Sequence, residues 1–303
     1  MDIIRTRDWY YTTNDDPRGY IQPHTLRELW FHTGTACNLA CDFCLEGSSP
    51  GDQRLQLIRF DDAKPYIDEA LTLGVEQFSF TGGEPFLAKD IVSILAYASQ
   101  YRPCLVLTNA SEPLQRRFEQ LHDVRNSQYP INFRVSLDYS DADRHDRGRG
   151  QGNFDTVLQG LRMLHQAGFS VSVARHMDKN EDSSAVEAAF RTLFIKQGIP
   201  ENTRIVAFPD FSTPGQALHT PQITEHCMTH YHDQQGRQNF MCAFSKMMVK
   251  QNDTMHVYAC TLVDDDPEYN LGVSLRESLD QRISMKHHRC YSCFAYGASC
   301  SES

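Results

Sequence analysis

Eight of the ten cysteines in this 303-residue sequence stand in two groups. One group lies within eight residues, at Cys37, Cys41 and Cys44, and the other lies in the last 62 residues, at positions 242, 260, 290, 293 and 300. Thiolates bind zinc and iron well, and a reducing cytosol does not sustain a disulfide scaffold. This grouping therefore favours metal or iron–sulfur chemistry.

The first group has three and then two residues between its cysteines. These spacings are too short for a rigid strand or helix, so we expect a wrapping loop. Three thiolates hold three irons of a 4Fe–4S cubane and leave the fourth iron open, whereas four thiolates close it. A zinc loop and three unrelated thiols are the alternatives; zinc takes a fourth ligand nearby in sequence, for which Asp42 and Glu46 are poor candidates.

A second motif is the segment Thr81-Gly82-Gly83-Glu84-Pro85-Phe86, 37 residues after the first cysteine group. Its two glycines permit positive φ and let backbone carbonyls approach a ligand closely, while the proline stiffens the exit into the next helix. Taken alone, the segment is explained equally well as a structural turn.

Together these motifs resemble the radical S-adenosylmethionine (radical SAM) superfamily, whose signature is Cys-x3-Cys-x2-Cys with an aromatic residue, here Phe43, before the last cysteine. The resemblance implies that Cys37, Cys41 and Cys44 hold a site-open 4Fe–4S cluster whose free iron chelates the methionyl amine and carboxylate of the cofactor. An electron from that cluster then cleaves S-adenosylmethionine to methionine and a 5′-deoxyadenosyl radical. The glycine-rich turn matches the family segment that receives the methionyl amino group. The implied cofactor-binding residues are Phe43, Gly82, Gly83, Glu84 and Pro85.

Four polar residues at predicted strand ends are softer matches: Asn109, Ser136, Asp138 and Arg175. By the resemblance, Asn109 lies near the cofactor, and Ser136 and Asp138 bind its ribose hydroxyls or its carboxylate. Arg175 is a candidate bidentate donor to the same carboxylate. Each is explained equally well as an ordinary polar strand end. Residues 145–155 resemble the loop and helix of the peptide-maturing and sulfatase-maturing branch.

Four of the five C-terminal cysteines suffice for a closed four-thiolate site, which holds zinc or a second cluster. The pattern resembles the twitch and SPASM auxiliary-cluster domains, and five cysteines are too few for two fully ligated clusters. We predict one auxiliary 4Fe–4S cluster, with a structural zinc knuckle as the alternative. Its predicted ligands are Cys242, Cys260, Cys290 and Cys293. Cys227 and Cys300 are then left as candidate hydrogen-atom donors to a substrate radical.

The elements that must position these residues alternate between short apolar runs and amphipathic stretches. Strands are predicted at 28–33, 77–81, 105–108, 133–137, 170–174 and 204–208, and helices at 63–73, 90–99, 114–121, 154–167 and 184–196. Strands followed by helices imply a parallel sheet with right-handed crossovers and an active site at the carboxyl ends of the strands. We predict an α/β fold, a partial (β/α)6 TIM-like barrel. The predicted domains are an N-terminal extension at 1–24, a radical SAM core at 25–213 and a cysteine-rich auxiliary-cluster domain at 214–303.

The composition limits the partners. Hydrophobic residues make up 40% and charged residues 22% of the chain, the net charge is −10 and the pI about 5.7. An acidic chain has no general attraction for phosphate backbones or anionic lipid, so neither nucleic acid nor a membrane is expected as a partner. The start of the chain has no apolar signal region, and the apolar run 91–98 is too short to span a bilayer, so we expect a cytoplasmic protein.

The expected activity begins with reductive cleavage of S-adenosylmethionine and abstracts a hydrogen atom from a substrate C–H bond. The product is then an oxidised (dehydrogenated) or epimerised small polar metabolite or sugar, because no N-terminal peptide-recognition domain is evident. A peptide or protein side-chain maturase of the same superfamily is the alternative. A non-catalytic iron–sulfur or zinc protein is the alternative of another class. A flavodoxin- or ferredoxin-type protein is the expected electron donor.

Overall fold

The computed structural model describes residues 5–208 and 220–297. The strands are β1 Tyr20–Ile21, β2 Glu28–His32, β3 Gln77–Thr81, β4 Cys104–Thr108, β5 Ile131–Ser136, β6 Ser170–His176, β7 Arg204–Phe208, β8 Ser245–Gln251, β9 Thr254–Tyr258 and β10 Ile283–Ser284. The helices are α1 Phe60–Thr72, α2 Ile91–Ala98, α3 Glu112–Gln115, α4 Phe118–Val124, α5 Ala142–Arg149, α6 Asn153–Gln166, α7 Ser183–Gln197, α8 Glu225–Tyr231, α9 Gln234–Gln238, α10 Met241–Phe244, α11 Leu275–Ser278 and α12 Cys290–Tyr296. None of the described helices is long and apolar enough to cross a membrane.

The chain forms two compact units, each made of segments that are separate in sequence. The core unit consists of His32–Lys64 and Phe78–Thr213, and the auxiliary unit consists of Met1–Phe31, Pro65–Gln77 and Pro214–Ser303. The cut after residue 213 coincides with the predicted boundary. The N-terminal segment Met1–Phe31 is grouped with the C-terminal cysteines in the auxiliary unit, and the predicted domain bounds stay a prediction.

The core unit is built on parallel strands in the order β7-β6-β5-β4-β3. Phe78 pairs with Cys104, Asn132 with Ser170 and Ser172 with Arg204, and helices of the core unit connect each strand to the next. Parallel neighbours require such crossovers, and their carboxyl ends therefore share one edge. The predicted α/β fold with a mostly parallel sheet is confirmed.

The packing of α6 shows how the sequence pattern produces this fold. Val157, Leu161 and Leu164 lie on one helix face and are fully buried, as their spacing predicts. Gly168 follows the helix with φ +85°, a conformation that glycine adopts without steric cost.

In the auxiliary unit, β8 runs parallel to β2 and forms a hairpin with β9. Asn252 and Asp253 connect the hairpin, and both have positive φ, as a two-residue primed turn requires. Strand β1 pairs with β10, and the buried ring of Trp9 packs edge-on against Tyr269 with ring centroids 4.9 Å apart. The segment predicted as an N-terminal extension therefore contacts C-terminal residues through Trp9, Tyr20 and Ile21.

Two helices differ from the sequence prediction. The stretch predicted as one helix at 114–121 is two short helices, α3 and α4. Helix α5 was not predicted, because its sequence ADRHDRGR has almost no apolar residues to reveal a period.

Candidate functional site

The first cysteine group lies in a loop of the core unit directly after β2. The loop is held at both ends, because Cys37 N–H donates to Ser49 O at 3.3 Å and Gly47 N–H donates to Cys44 O at 3.0 Å. Cys44 N–H also donates to Cys41 O at 3.1 Å. No regular strand or helix is assigned to residues 37–47, so the wrapping loop expected from the spacing is present.

The surroundings of Cys37 suit a metal-bound thiolate. Leu39 N–H donates to its Sγ at 3.4 Å, and the amide Nδ2 of Asn109 lies 3.8 Å from the same sulfur. Burial raises the pKa of the Cys37 thiol to about 11. Without metal the sulfur is therefore protonated at neutral pH, and binding iron would release that proton.

The glycine-rich segment after β3 is joined to the residues just before Cys37. Thr33 N–H donates to Thr81 O at 2.8 Å, Gly83 N–H to Gly34 O at 2.9 Å and Glu84 N–H to Ala36 O at 3.0 Å. A Cβ on Gly83 would lie 2.2 Å from Ala36 O. The glycine is needed for the approach of one backbone segment to the other, in addition to the approach to a ligand that the sequence predicts.

Glu84 is fully buried and accepts hydrogen bonds from the protein. Its carboxylate accepts from Phe86 N–H at 3.1 Å, from Asn109 N–H at 2.9 Å and from Thr108 Oγ1 at 2.9 and 3.0 Å. Burial raises its pKa to about 7, although these hydrogen bonds act in the opposite direction. The side chain thus joins the carboxyl ends of β3 and β4, and its predicted contact with the cofactor stays a prediction.

Asn109 belongs to a hydrogen-bonded group beside the cysteine loop. Its Nδ2 donates to Asn38 Oδ1 at 3.0 Å, and its Oδ1 accepts from Ser111 Oγ at 2.6 Å and from Ser111 N–H at 3.0 Å. Asn38 Nδ2 in turn donates to Ser111 Oγ at 2.9 Å. Sequence reasoning identified Asn109 but missed Asn38 and Ser111, although both are polar residues within two positions of motif residues.

Asp138, predicted to bind the cofactor, forms an ion pair with Arg149 of α5. The Arg149 guanidinium donates to both carboxylate oxygens, and the two side chains are only 13% and 8% exposed. Burial acts to raise the pKa of Asp138, but Arg149 holds it below its usual value. The guanidinium also lies 5.5 Å above the Phe43 ring and interacts electrostatically with Cys41 and Cys44.

Arg149 therefore brings positive charge to the cysteine loop, which the sequence alone did not indicate. Neighbouring Gly148 lets α5 approach, because a Cβ there would lie 2.2 Å from Cε1 of Phe43. His145 of the same helix accepts at Nδ1 from Asp138 N–H at 3.3 Å. Residues 145–149, recognised in the sequence only as a family pattern, thus position Asp138 and Phe43.

The remaining two predicted cofactor residues end β5 and β6. Ser136 is half-buried and pairs with Ala174. Arg175 donates to both carboxylate oxygens of Glu181, at 2.6 and 3.0 Å, and this pairing lowers the pKa of Glu181 to about 2. Arg175 thus has a protein carboxylate as its partner, and its pairing with the cofactor carboxylate stays a prediction.

Four C-terminal cysteines line one cavity within the auxiliary unit: Cys242, Cys260, Cys290 and Cys293. They come from α10, from the end of β9 and from the first turns of α12. Leu262 N–H donates to Cys260 Sγ at 3.3 Å, and Tyr269 Oη lies 3.9 Å from Cys290 Sγ. The structure brings together the four residues that were predicted as ligands.

Burial keeps three of these thiols, those of Cys242, Cys260 and Cys290, protonated in the absence of metal. It raises the pKa of Cys242 to about 11 and that of Cys290 to about 12, and the pKa of Cys260 is also well above its usual value. Thiols in an apolar cavity are costly to ionise without a cation, so a metal centre that binds all four as thiolates fits this donor set.

Of the two cysteines predicted as hydrogen-atom donors, Cys227 lies among the described residues and Cys300 does not. Cys227 lies in α8, half-buried, with Thr224 Oγ1 3.2 Å from its Sγ, and it packs against the apolar cluster that also contacts Cys242. Cys300 lies outside the described residues. The catalytic role of both stays a prediction.

Comparison with known proteins agrees with these features. Residues 31–193 match the family model of the radical SAM superfamily, which is just over half of the chain. The mycofactocin maturase MftC of Mycolicibacterium smegmatis is 30% identical over 161 residues, or 51% of this chain and 40% of that protein. The AdoMet-dependent heme synthase of Methanosarcina barkeri is 30% identical over 145 residues, or 47% of this chain and 40% of that protein. The match thus spans less than half the length of either relative.

The fold also resembles solved structures. Streptococcus suis SuiB bound to its precursor peptide SuiA superposes with a TM-score of 0.60 at 15% identity, over 84% of this chain and 64% of that one. At this identity the likeness supports the fold alone. The family match, which spans the cysteine loop and the glycine-rich segment, shows that this chain is an enzyme of the radical SAM superfamily, whose members use a 4Fe–4S cluster and S-adenosylmethionine.

Proposed function

We propose that this enzyme oxidises a C–H bond of its substrate, with one auxiliary 4Fe–4S cluster as the acceptor of the second electron. The observation that carries the proposal is the cavity of the auxiliary unit, which is lined by four cysteines from three separate segments. Four thiolates complete the coordination of a cubane and leave no iron open for a ligand. Such a centre is suited to accepting an electron.

The core unit supplies the other half of the proposal. Cys37, Cys41 and Cys44 hold three irons of the first cluster and leave one position open for S-adenosylmethionine. Among the described residues of this unit the remaining cysteine is Cys104, which is buried in β4. When bound, the cluster and its cofactor supply the 5′-deoxyadenosyl radical.

The backbone after β3 is the proposed site for the methionyl amino group. No described residue donates a hydrogen bond to the carbonyl of Gly82 or Gly83. The N–H groups of Gly83 and Glu84 and the carboxylate of Glu84 instead hold the segment against the cysteine loop and β4, so the carbonyls are left to accept from a cationic amine. Asp138 and Ser136 are the proposed contacts to the ribose or carboxylate.

The proposed oxidation removes one hydrogen atom, one electron and one proton from the substrate. The substrate carbon loses one hydrogen atom, which forms 5′-deoxyadenosine. A cluster held by Cys242, Cys260, Cys290 and Cys293 would accept the second electron, one proton would leave to solvent, and the product would be lighter by two hydrogens. A flavodoxin- or ferredoxin-type protein is the proposed source of the electron that starts each turnover.

Two substrate classes are proposed, and different relatives favour each. A small polar metabolite or sugar is the first, and the relative named AdoMet-dependent heme synthase is a precedent for small-molecule chemistry. A peptide is the second, since SuiB of similar fold binds its precursor peptide SuiA. Incubating the reduced enzyme separately with the low-molecular-weight and the peptide fractions of a cell extract separates the two. The productive fraction is the one in which a compound is replaced by one lighter by two hydrogens.

Iron counting and cofactor cleavage test the proposal itself. Anaerobic reconstitution should give about eight irons per chain, and replacing Cys37, Cys41 and Cys44 together by alanine should leave about four. Dithionite reduction of the parental chain with S-adenosylmethionine should yield 5′-deoxyadenosine, and the triple variant should yield none. Formation of 5′-deoxyadenosine by the triple variant would overturn the assignment of the first cluster.

A further inference from the structure

Lys246 is a fully buried lysine beside the four-cysteine cavity. It is the second residue of β8, and its Nζ donates to Cys242 O and Ser245 O, each at 2.9 Å. None of the described residues provides a carboxylate that forms an ion pair with it. Lys246 is therefore a buried ammonium whose described partners are neutral carbonyls.

Such a group is costly. Taking an ammonium out of water loses its hydration, and carbonyl acceptors replace only part of it. Lys246 Nζ lies 2.9 Å from the carbonyl oxygen of Cys242, whose thiol lines the four-cysteine cavity. The partner charge that this lysine lacks is therefore to be expected at the cysteines.

We propose that Lys246 is a positioning residue that provides a fixed positive charge for an anionic four-thiolate cluster and thereby raises the reduction potential of that cluster. This inference rests on the proposed auxiliary cluster. Four thiolates make such a centre anionic, and reduction adds one more negative charge. A nearby cation in a low-dielectric site stabilises the reduced form more than the oxidised form. Lys246 would thus make the cluster a better acceptor for the electron of the substrate radical.

A purely structural role predicts something different. Lys246 Nζ also satisfies carbonyls at the end of α10, as basic residues do at many helix C-termini. If that were its whole role, neutral substitution would lower stability and leave the cluster potential unchanged. The potential therefore separates the two roles.

The experiment uses the full chain with Cys37, Cys41 and Cys44 replaced by alanine, so that all redox-active iron belongs to the C-terminal site. The midpoint potential is measured by titration monitored with electron paramagnetic resonance. Lys246→Met should shift the midpoint to a more negative value at equal iron content, and Lys246→Arg should restore the parental value. Met248→Leu, a buried neutral change two residues further along β8, is the packing control and should cause no shift.

An unchanged midpoint in Lys246→Met at equal iron content would overturn the proposal without affecting cofactor cleavage. If Lys246→Met holds no iron, the result for Lys246→Arg tests the proposal. Iron retained by Lys246→Arg at the parental potential would support the need for a positive charge, and loss of iron from Lys246→Arg would overturn the proposal. If the starting triple variant contains zinc, the proposal falls together with the auxiliary cluster. Formation of 5′-deoxyadenosine by the parental chain would still test the first cluster separately.

Discussion

Gly83→Ala is the substitution that most directly tests how the glycine-rich segment after β3 is attached to the cysteine loop. The added Cβ would lie 2.2 Å from Ala36 O and 2.7 Å from Thr35 O, and both are backbone atoms. Neither atom belongs to a side chain that can rotate away. The segment must therefore move by about 1 Å to reach ordinary contact distances.

That movement has a cost that the structure lets us estimate. Two backbone hydrogen bonds are strained or lost, from Gly83 N–H to Gly34 O and from Glu84 N–H to Ala36 O, at about 1 kcal/mol each. Overpacking adds about 1–3 kcal/mol. The free energy of unfolding should fall by about 3–5 kcal/mol, which for a chain of this size lowers Tm by roughly 5–8 °C. Because Ala36 precedes Cys37, the first cluster should also be lost preferentially.

The assay is thermal unfolding of the anaerobic apo chain, followed by iron counting after reconstitution. Gly74→Ala is the matched control, since Gly74 has φ +86° but no atom within 4 Å of an added Cβ. It should show backbone strain of about 1 kcal/mol and keep both clusters. If Gly83→Ala unfolds at the same temperature as Gly74→Ala and binds the same iron, the close backbone approach does not support the loop as argued.

Four further predictions follow from the two sites. Cys290→Ala and Cys293→Ala should each lower the iron content to about four per chain. Both variants should still form 5′-deoxyadenosine with dithionite. Tightly bound zinc at this site in the parental chain would contradict the auxiliary cluster. For Glu84, whose pKa burial raises from 4.5 to about 7, the stabilising protonated form is fully present below pH 4.5 and is lost as pH rises through 7. Glu84→Gln should therefore cost more unfolding free energy at about pH 5 than at about pH 8, by at most about 3 kcal/mol in urea titrations, and an equal cost at both values would refute this. Arg149→Met leaves Asp138 buried without its partner and should lower the free energy of unfolding by about 3–5 kcal/mol, whereas a loss under about 1 kcal/mol would show that the pair is solvated. In deuterated water the product should carry no solvent deuterium if oxidation is correct; one deuterium that disappears in Cys227→Ala would establish epimerisation instead.

Residues whose role depends on local spacing were predictable from the sequence. The cysteine loop needs only three thiols at short separations, and α6 needs only its apolar face. Cys104 lies within β4 and is fully buried, as expected for a small apolar residue at the start of a strand. In each case the determining contacts involve residues that are close in sequence or a general preference for burial.

Residues whose role depends on a distant partner were not predictable. In the sequence, Arg149 is one of several charged residues in a polar segment. Its contacts with Asp138 and the Phe43 ring exist only because the chain turns after β5 and places α5 beside them. The contact of Glu84 with the cofactor stays a prediction, but the hydrogen bonds of its carboxylate with Thr108 and Asn109 depend on the register of β3 with β4 and could not be predicted. The proposed role of Lys246 arises only because the fold brings the sequence-distant Cys260, Cys290 and Cys293 together with Cys242, whose carbonyl Lys246 contacts.

If the auxiliary unit holds the proposed cluster, its chemistry favours oxidation over epimerisation. Epimerisation needs a thiol that donates its hydrogen atom and is then restored, and thus a sulfur free of metal. Among the described cysteines outside the two groups, Cys104 is fully buried within β4, and Cys227 lies half-buried beside a threonine hydroxyl in an apolar cluster. Under the proposed function, the four cavity cysteines would together provide the complete ligand set of an electron acceptor, and Lys246 is a buried lysine whose Nζ donates to the carbonyl of one of them, Cys242. A cation at that position favours the transfer of an electron into the site, which oxidation requires and epimerisation does not.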